Sequence, residues 1–431
     1  MGYVCYSQCN VRTNELTYDQ LIPAAQEVLR RNDAGEWTTP SQDLYVHEWF
    51  WDSAKIAIGL ATFDPERAKT ELLSMRRGQW TNGMMPHIIF GNSPDYWEGP
   101  DFWRSKDVPG SPTEYDTSAI TQPPVVTFAT KIVADALPDT DRKIFLNDMY
   151  PTLLRYHQWM YRERASESGL FVAVTPWETG LDNAPPWMYL INKVRGPLLP
   201  TVAERMGLGR LLQRGDTKQV PLEERQTNME TLKLAALALQ YRKWGYDSAT
   251  ILERSKVVVE SLDFNCILVR ANEALQQIAD DLNEPLPLEL QKNMQKTTEA
   301  IEDLWDDSRQ EYFSRDYRTG RLMTESSVVT FLPLFAGTAS PERAQILVNK
   351  LDDPLTYGAE YPVPSAPMNS KYFSDRCYWQ GPSWFNEDWF IINGLWRYNF
   401  NQKAGHIGSK AIEMVLKSGF REYYSPRTGE G

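Results

Sequence analysis

Helical periodicity runs along almost the whole chain, and this feature most restricts what it can fold into. Apolar residues recur at three- and four-residue spacing in 16–32 (LTYDQLIPAAQEVLRRN), 51–63 (WDSAKIAIGLATF), 227–245, 248–282, 287–306, 341–351, 382–399 and 403–419. Asp64-Pro65 reads as an N-cap followed by proline at the first helical position, opening a helix over ERAKTELLSMRRGQW. Residues 117–137 and 139–164 read as a further pair, broken near Pro138. Strand signals are few; SGLFVAVTPW and QEYFSRDYRTGRLM are expected to be short hairpins. Helices that follow one another in pairs, with the unusual residues in the connections, predict an all-α closed ring of helix pairs with a site at one end. No linker divides 1–431, which reads as a single domain. The stretch 91–124 is rich in proline, glycine and aromatics and reads as a lid-like insertion over the site.

The polar connections are where the chain is unusual. It has 15 Trp, 21 Tyr and 16 Phe, and many tryptophans sit beside acids, amides, glycine or proline: HEWFWDS, PDYWEGPDFW, TPWETG, CYWQGPSWFNEDW. Indole offers a flat apolar face and one donor. A sugar ring offers flat C–H faces and a rim of hydroxyls. Aromatic faces with carboxylates and amides around them are therefore the expected chemistry of a carbohydrate site.

Four constellations carry this pattern. In 44–90, Asp52 lies at a helix start with Trp49 three residues before it; it can cap that helix or accept from sugar hydroxyls. In TPWETGLDNAPPW (175–187), Glu178 and Asp182 lie in a proline-stiffened loop between Trp177 and Trp187. Turn chemistry accounts for such acids, but a carboxyl kept from water by indoles has a raised pKa and suits a general acid. In 361–390, Tyr378, Trp379 and Gln380 precede a Gly-Pro step and a helix. In SGFREYYSPRTGEG, Glu422 follows a helix end. Two carboxyls across a glycosidic bond are the minimum for its hydrolysis; Asp182 and Glu422 are the candidates.

Together, HEWFWDSAKIAIGL, GQWTNGMMPH, PWETGLDNAPPW, YPVPS…YWQGPSW and EYYSPRTGEG resemble glycoside hydrolase family 63, in particular its short mannosylglycerate and glucosylglycerate hydrolases. The resemblance covers residue 20 to the C-terminus. It implies an (α/α)6 barrel, no metal or other cofactor, and inversion at an α-linked glycoside. It also implies Asp182 as general acid and Glu422 as general base. Tyr45, Trp49, Asp52, Tyr96, Gln122, Trp177, Tyr378, Trp379 and Gln380 would line the sugar pocket. Inversion needs room for water, so the two carboxyls are expected roughly 6.5–9.5 Å apart. Arg225 stands where a guanidinium would meet a glycerate carboxylate, or it pairs with Glu223 or Glu224 at a helix start. The residues after it depart from the family's aromatic-rich pattern, which leaves glucosylglycerate, mannosylglycerate and glucosylglycerol open. The chain ends at TGEG, where the family continues with a Phe-Ser-Trp-Thr-like segment and one more apolar helix. A ring without that helix is expected to have an odd number of barrel helices and an apolar groove beside Glu422.

Other classes fit less well. Lys+Arg at 45 against Asp+Glu at 57 leaves −12, which disfavours nucleic acid and acidic polymers as partners. No signal peptide or 18-residue apolar run appears, and four cysteines suit reduced thiols in a cytoplasmic protein. Cys5 and Cys9 alone are a weak metal signature. A homo-oligomer is left open. The rivals are a non-catalytic carbohydrate-binding barrel, a trehalase-like or oligosaccharide glucosidase, a histidine-dependent epimerase using His47 or His87, and a polysaccharide lyase.

Overall fold

The computed structural model describes residues 16–91, 98–194 and 220–431. It is mainly helical. The principal helices are α1 (Tyr18–Arg31), α2 (Phe50–Leu60), α3 (Pro65–Met75), α4 (Pro100–Trp103), α5 (Val125–Ala136), α6 (Asp139–Trp159), α7 (Pro185–Ile191), α8 (Asn228–Lys243), α9 (Ser248–Arg254), α10 (Leu262–Leu282), α11 (Leu288–Ala300), α12 (Leu332–Ala336), α13 (Pro341–Lys350), α14 (Phe385–Arg397) and α15 (Asn401–Ser418). Inner helices α2, α5, α10, α12 and α14 pack side by side in that order, with α3, α6, α11 and α15 outside them. This is the (α/α)6 toroid, with five inner helices among the described residues. On the remaining side, α2 and α14 approach through Lys55, whose Nζ lies 5.6 Å from the Phe390 ring centroid.

Local chemistry explains most boundaries. Asp64 caps α3 by accepting from the Arg67 N–H, with Pro65 at the first position. Thr227 and Glu230 form a capping box at α8. α10 is buried along most of its length, so it anchors the ring; truncating its Leu268 to Ala is expected to cost about 2–5 kcal/mol. Gly394 lets α14 press on α12, since a Cβ there would lie 2.6 Å from the Phe335 nitrogen.

Several boundaries differ from the periodicity. Residues 117–124 are not helical: Pro123 and Pro124 delay α5 to Val125, and His87 and Ser118 instead join extended segments through His87 N–H to Ile120 O and Ser118 N–H to Ile88 O. The expected helix 248–282 is two helices. Between them the β-branched run Val257–Val259 is buried and feeds β4 (Val259–Glu260). β4 pairs with β3 (Val172–Ala173) and β7 (Arg315–Asp316), so SGLFVAVTPW contributes one strand to a three-stranded sheet instead of a hairpin. The second expected hairpin forms over 314–323, where Arg315 bridges Leu322 and the Asp316 and Met323 N–H groups donate to the Arg321 and Ser314 carbonyls; its β7 also pairs with β4, while β6 (Glu311–Tyr312) pairs with β5 (Trp305–Asp306). Among described residues no helix is long and apolar enough to cross a membrane.

Candidate active site

The site assembles from four connections at one end of the ring. The first enters α2 through β1 (Glu48–Trp49), which pairs with β2 (Ile88–Ile89). Trp49 takes the N-cap position and Asp52 falls in the first turn, so Asp52 is not the cap. Burial pushes its carboxyl up to about 6; Lys55 pulls it down and the charge of Glu422 pushes it further up. Tyr45 and Trp49 meet edge to face at 5.5 Å. Gln122 is buried and its Oε1 accepts from the Trp51 N–H at 3.3 Å, bracing the start of α2.

The second connection is 175–184. α6 ends in a π-helical turn, Met160–Arg164, that delivers Arg164 beneath this loop. Arg164 donates to both oxygens of Glu178, at 3.0 and 2.5 Å, and to the Val172 carbonyl. The Val174 N–H also donates to Glu178 at 2.9 Å. Glu178 is 0% exposed, so it is scaffold. Gly180 has φ +72°, and a Cβ there would collide with the Trp51 indole, so the loop lies tight on α2. Asp182 follows, half-buried. The prolines behind it do not break a helix; Pro185 and Pro186 start α7, where missing N–H groups cost nothing.

The third connection is 377–380. Tyr378 has φ 42°, and its N–H donates to the Glu224 carbonyl at 3.2 Å. Asn183, beside Asp182, ties the second connection to the third: its Oδ1 accepts from Trp379 N–H at 3.0 Å and its carbonyl accepts from Gln380 Nε2 at 3.0 Å. Trp379 is 1% exposed and stacks on Trp384 at 3.8 Å. Trp379 also meets the Tyr378 ring edge to face at 6.2 Å. Trp177 is half-buried against Trp103 at 6.1 Å.

The fourth connection, after α15, brings Glu422, whose neighbour Tyr424 bridges back to Ser383. Glu422 Oε1 accepts from Tyr45 Oη at 2.7 Å and from Arg225 Nη1 at 3.3 Å; Oε2 accepts from Arg225 Nη2 at 2.6 Å. Arg225 therefore pairs with Glu422 and not with Glu223 or Glu224; Glu224 is held by Arg376. The guanidinium is buried beside the Tyr378 and Tyr423 rings, 4.8 and 5.8 Å from their centroids. Burial raises the Tyr378 phenol well above its usual value, and the charges of Tyr45, Asp182 and Glu422 all add to the rise. One phenol thus feels both candidate carboxylates.

Asp182, Glu422, Tyr45, Asp52, Arg225 and Tyr378 are brought into one electrostatic neighbourhood. Tyr96 and the pair Cys5 and Cys9 lie outside the described residues. The described part of the expected lid is packed on the body, with Trp103 buried between His87 and Trp177. His47 and His87 are held neutral by burial, at about 4 and about 3, and His87 Nδ1 bonds Ser118 Oγ at 2.5 Å. Neither is poised as a base. Among the described residues no three His, Cys, Asp or Glu side chains group to hold a metal. Sequence reasoning missed Asn183 and Lys55. Asn183 was hidden as an ordinary turn residue. Lys55 had a signal, a lone cation in WDSAKIAIGL one turn after Asp52; its Nζ lies 3.0 Å from the Trp51 ring centroid, and burial lowers it to about 8.

Residues 45–431 match the mannosylglycerate hydrolase MGH1-like glycoside hydrolase domain. The chain belongs to this family of glycoside hydrolases. A mannosylglycerate hydrolase of Thermus thermophilus is 37% identical, over 94% of this chain and 95% of that protein. A glucosylglycerate hydrolase of Mycolicibacterium hassiacum is 29% identical, over 96% of this chain and 94% of that protein. The crystal structure of the GH63 mannosylglycerate hydrolase from another Thermus thermophilus strain, with Tris and D-glycerate, superposes with a TM-score of 0.86, at 36% identity and 95% coverage of both chains. This glycoside hydrolase thus shares sequence and ring with enzymes of small glycosides.

Proposed function

We propose that this enzyme hydrolyses an α-linked glycoside of glucose or mannose with glycerate, with inversion. The observation that carries the reading is the cluster in which Glu422 is held by Tyr45 and Arg225, beside a phenol that also feels Asp182. In this mechanism Glu422 takes a proton from water as the water oxygen bonds to the anomeric carbon. The glycosidic C–O bond breaks, and Asp182 gives its proton to the departing glycerate oxygen. Ionised Asp52 accepts from sugar hydroxyls, with Trp49 beside it. Arg225, the buried cation of the cluster, suits the acceptor carboxylate because its planar fork matches one. D-Glycerate bound to the Thermus thermophilus relative of known structure supports that choice of acceptor. Glucose and mannose differ by one hydroxyl, and a single polar side chain can choose between them. We place the reaction in the cytoplasm, where Cys266 and Cys377, both free, would stay reduced.

The test is sugar release from glucosylglycerate, mannosylglycerate, glucosylglycerol and trehalose by wild type and Asp182→Asn. Cleavage of a glycerate glycoside, lost in the variant and yielding the β-hexose first, is expected. No cleavage of any member by folded wild type would favour a carbohydrate-binding barrel. An α-hexose as first product would overturn inversion.

A further inference from the structure

We infer that the acceptor carboxylate does more than bind: it draws Arg225 off Glu422 and so frees the base that activates water. This rests on the glycerate reading above. A carboxylate has about four acceptor positions, and three on Glu422 are taken, one by Tyr45 and two by Arg225. A water held for attack must compete for what is left. The clamp is also incomplete from the arginine's side. Arg225 is 3% exposed, yet its Nε–H finds no acceptor among the described residues. A buried donor left unpaired is costly, so the guanidinium has a hydrogen bond to gain by meeting a further acceptor.

The neighbourhood supports a second position for the guanidinium. Tyr378 and Tyr423 offer ring faces along which it can move while still partnered. Tyr45 would stay on Oε1, so releasing Arg225 opens Oε2 for the water without stranding the carboxylate. A planar carboxylate arriving on the acceptor is the one group that can replace Glu422 on the fork with equal charge and geometry. Recognition and base activation then become one event, and neutral acceptors are rejected in the chemical step as well as in binding.

The experiment uses an α-glycosyl fluoride of whichever hexose is released from its glycerate glycoside. This donor brings no carboxylate, and fluoride leaves without a proton while Glu422 still takes one from water. Formate supplies the missing carboxylate; formamide has its size without its charge. At constant ionic strength, formate is expected to speed fluoride release saturably, by about 5-fold or more, the lower end of ordinary site-to-site coupling. Formamide should do nothing. Arg225→Lys, which keeps the charge but loses the fork, should lose most of the response. Unchanged or slowed release with formate in wild type overturns the inference while the hydrolase reading stands. An undiminished response in Arg225→Lys overturns it too. If neither the fluoride nor any glycerate glycoside is cleaved, both the reading and the inference fail.

Discussion

Two of the protein's arginine–glutamate pairs, Arg164–Glu178 and Arg225–Glu422, differ in how far they are closed. Arg164–Glu178 is almost sealed: Glu178 is 0% exposed, the Arg164 fork meets both its oxygens, and Nε and Nη2 also donate to the Val172 carbonyl. Arg225–Glu422 is open: the Glu422 side chain is 27% exposed, and Arg225 keeps an unpaired Nε–H. The first pair fixes a loop. The second has acceptor and donor capacity left, which is what a reacting site needs.

The comparison can be broken by exchanging the consequences of the two pairs. Glu422→Gln is expected to cut turnover about 1,000-fold, within the usual range for loss of a general base; it also takes the counter-charge from buried Arg225, but Glu422 is 27% exposed and water can reach the pair, so the stability loss is smaller than at Glu178. Glu178→Gln is expected to do the opposite. It strands a buried guanidinium, at about 3–5 kcal/mol of stability measured by urea unfolding, while the fraction that still folds keeps most of its turnover. If the two variants behave alike, the distinction fails.

Smaller effects sharpen it. Asp52 stands at about 6, above the ordinary 3.8, with burial raising it and Lys55 holding it down. It is protonated below that value, so sugar binding is expected to weaken as pH falls through about 6. Lys55→Met removes the opposing cation. Asp52 should then hold its proton to higher pH, moving the acid limb of kcat/KM upward by about one unit; an unmoved limb would remove Asp52 from binding. Tyr45→Phe takes one hydrogen bond from Glu422. About 1 kcal/mol, or roughly 5-fold, is expected in turnover, with KM nearly constant. A change confined to KM would make Tyr45 a sugar contact instead of a support for the base.

Much of the ring was legible because it depends on short-range rules. The Asp64-Pro65 start, the Thr227 cap and the paired apolar stripes all operate within a few residues. The errors share a cause as well. Pro123-Pro124 and Val257–Val259 interrupt helical stripes at points where an extended segment pairs with distant chain, and Pro185-Pro186, read as part of a stiff loop, open a helix. The two candidate carboxylates could be named from their motifs. The partner of Arg225 could not: nearby Glu223 and Glu224 were equally good on the page, and the bond goes to Glu422, 197 residues away.

By itself, then, the sequence determined a helical ring, the family and the residue types of a sugar site, because periodicity, capping and motif spacing are local properties. Tertiary structure alone decided which carboxylate is sealed by an arginine and which stays accessible, that Trp379 stacks on Trp384, and that the charge of Lys55 acts on Asp52. Those outcomes depend on burial and on partners from distant segments, and the free energy of a charge is set by what surrounds it in space.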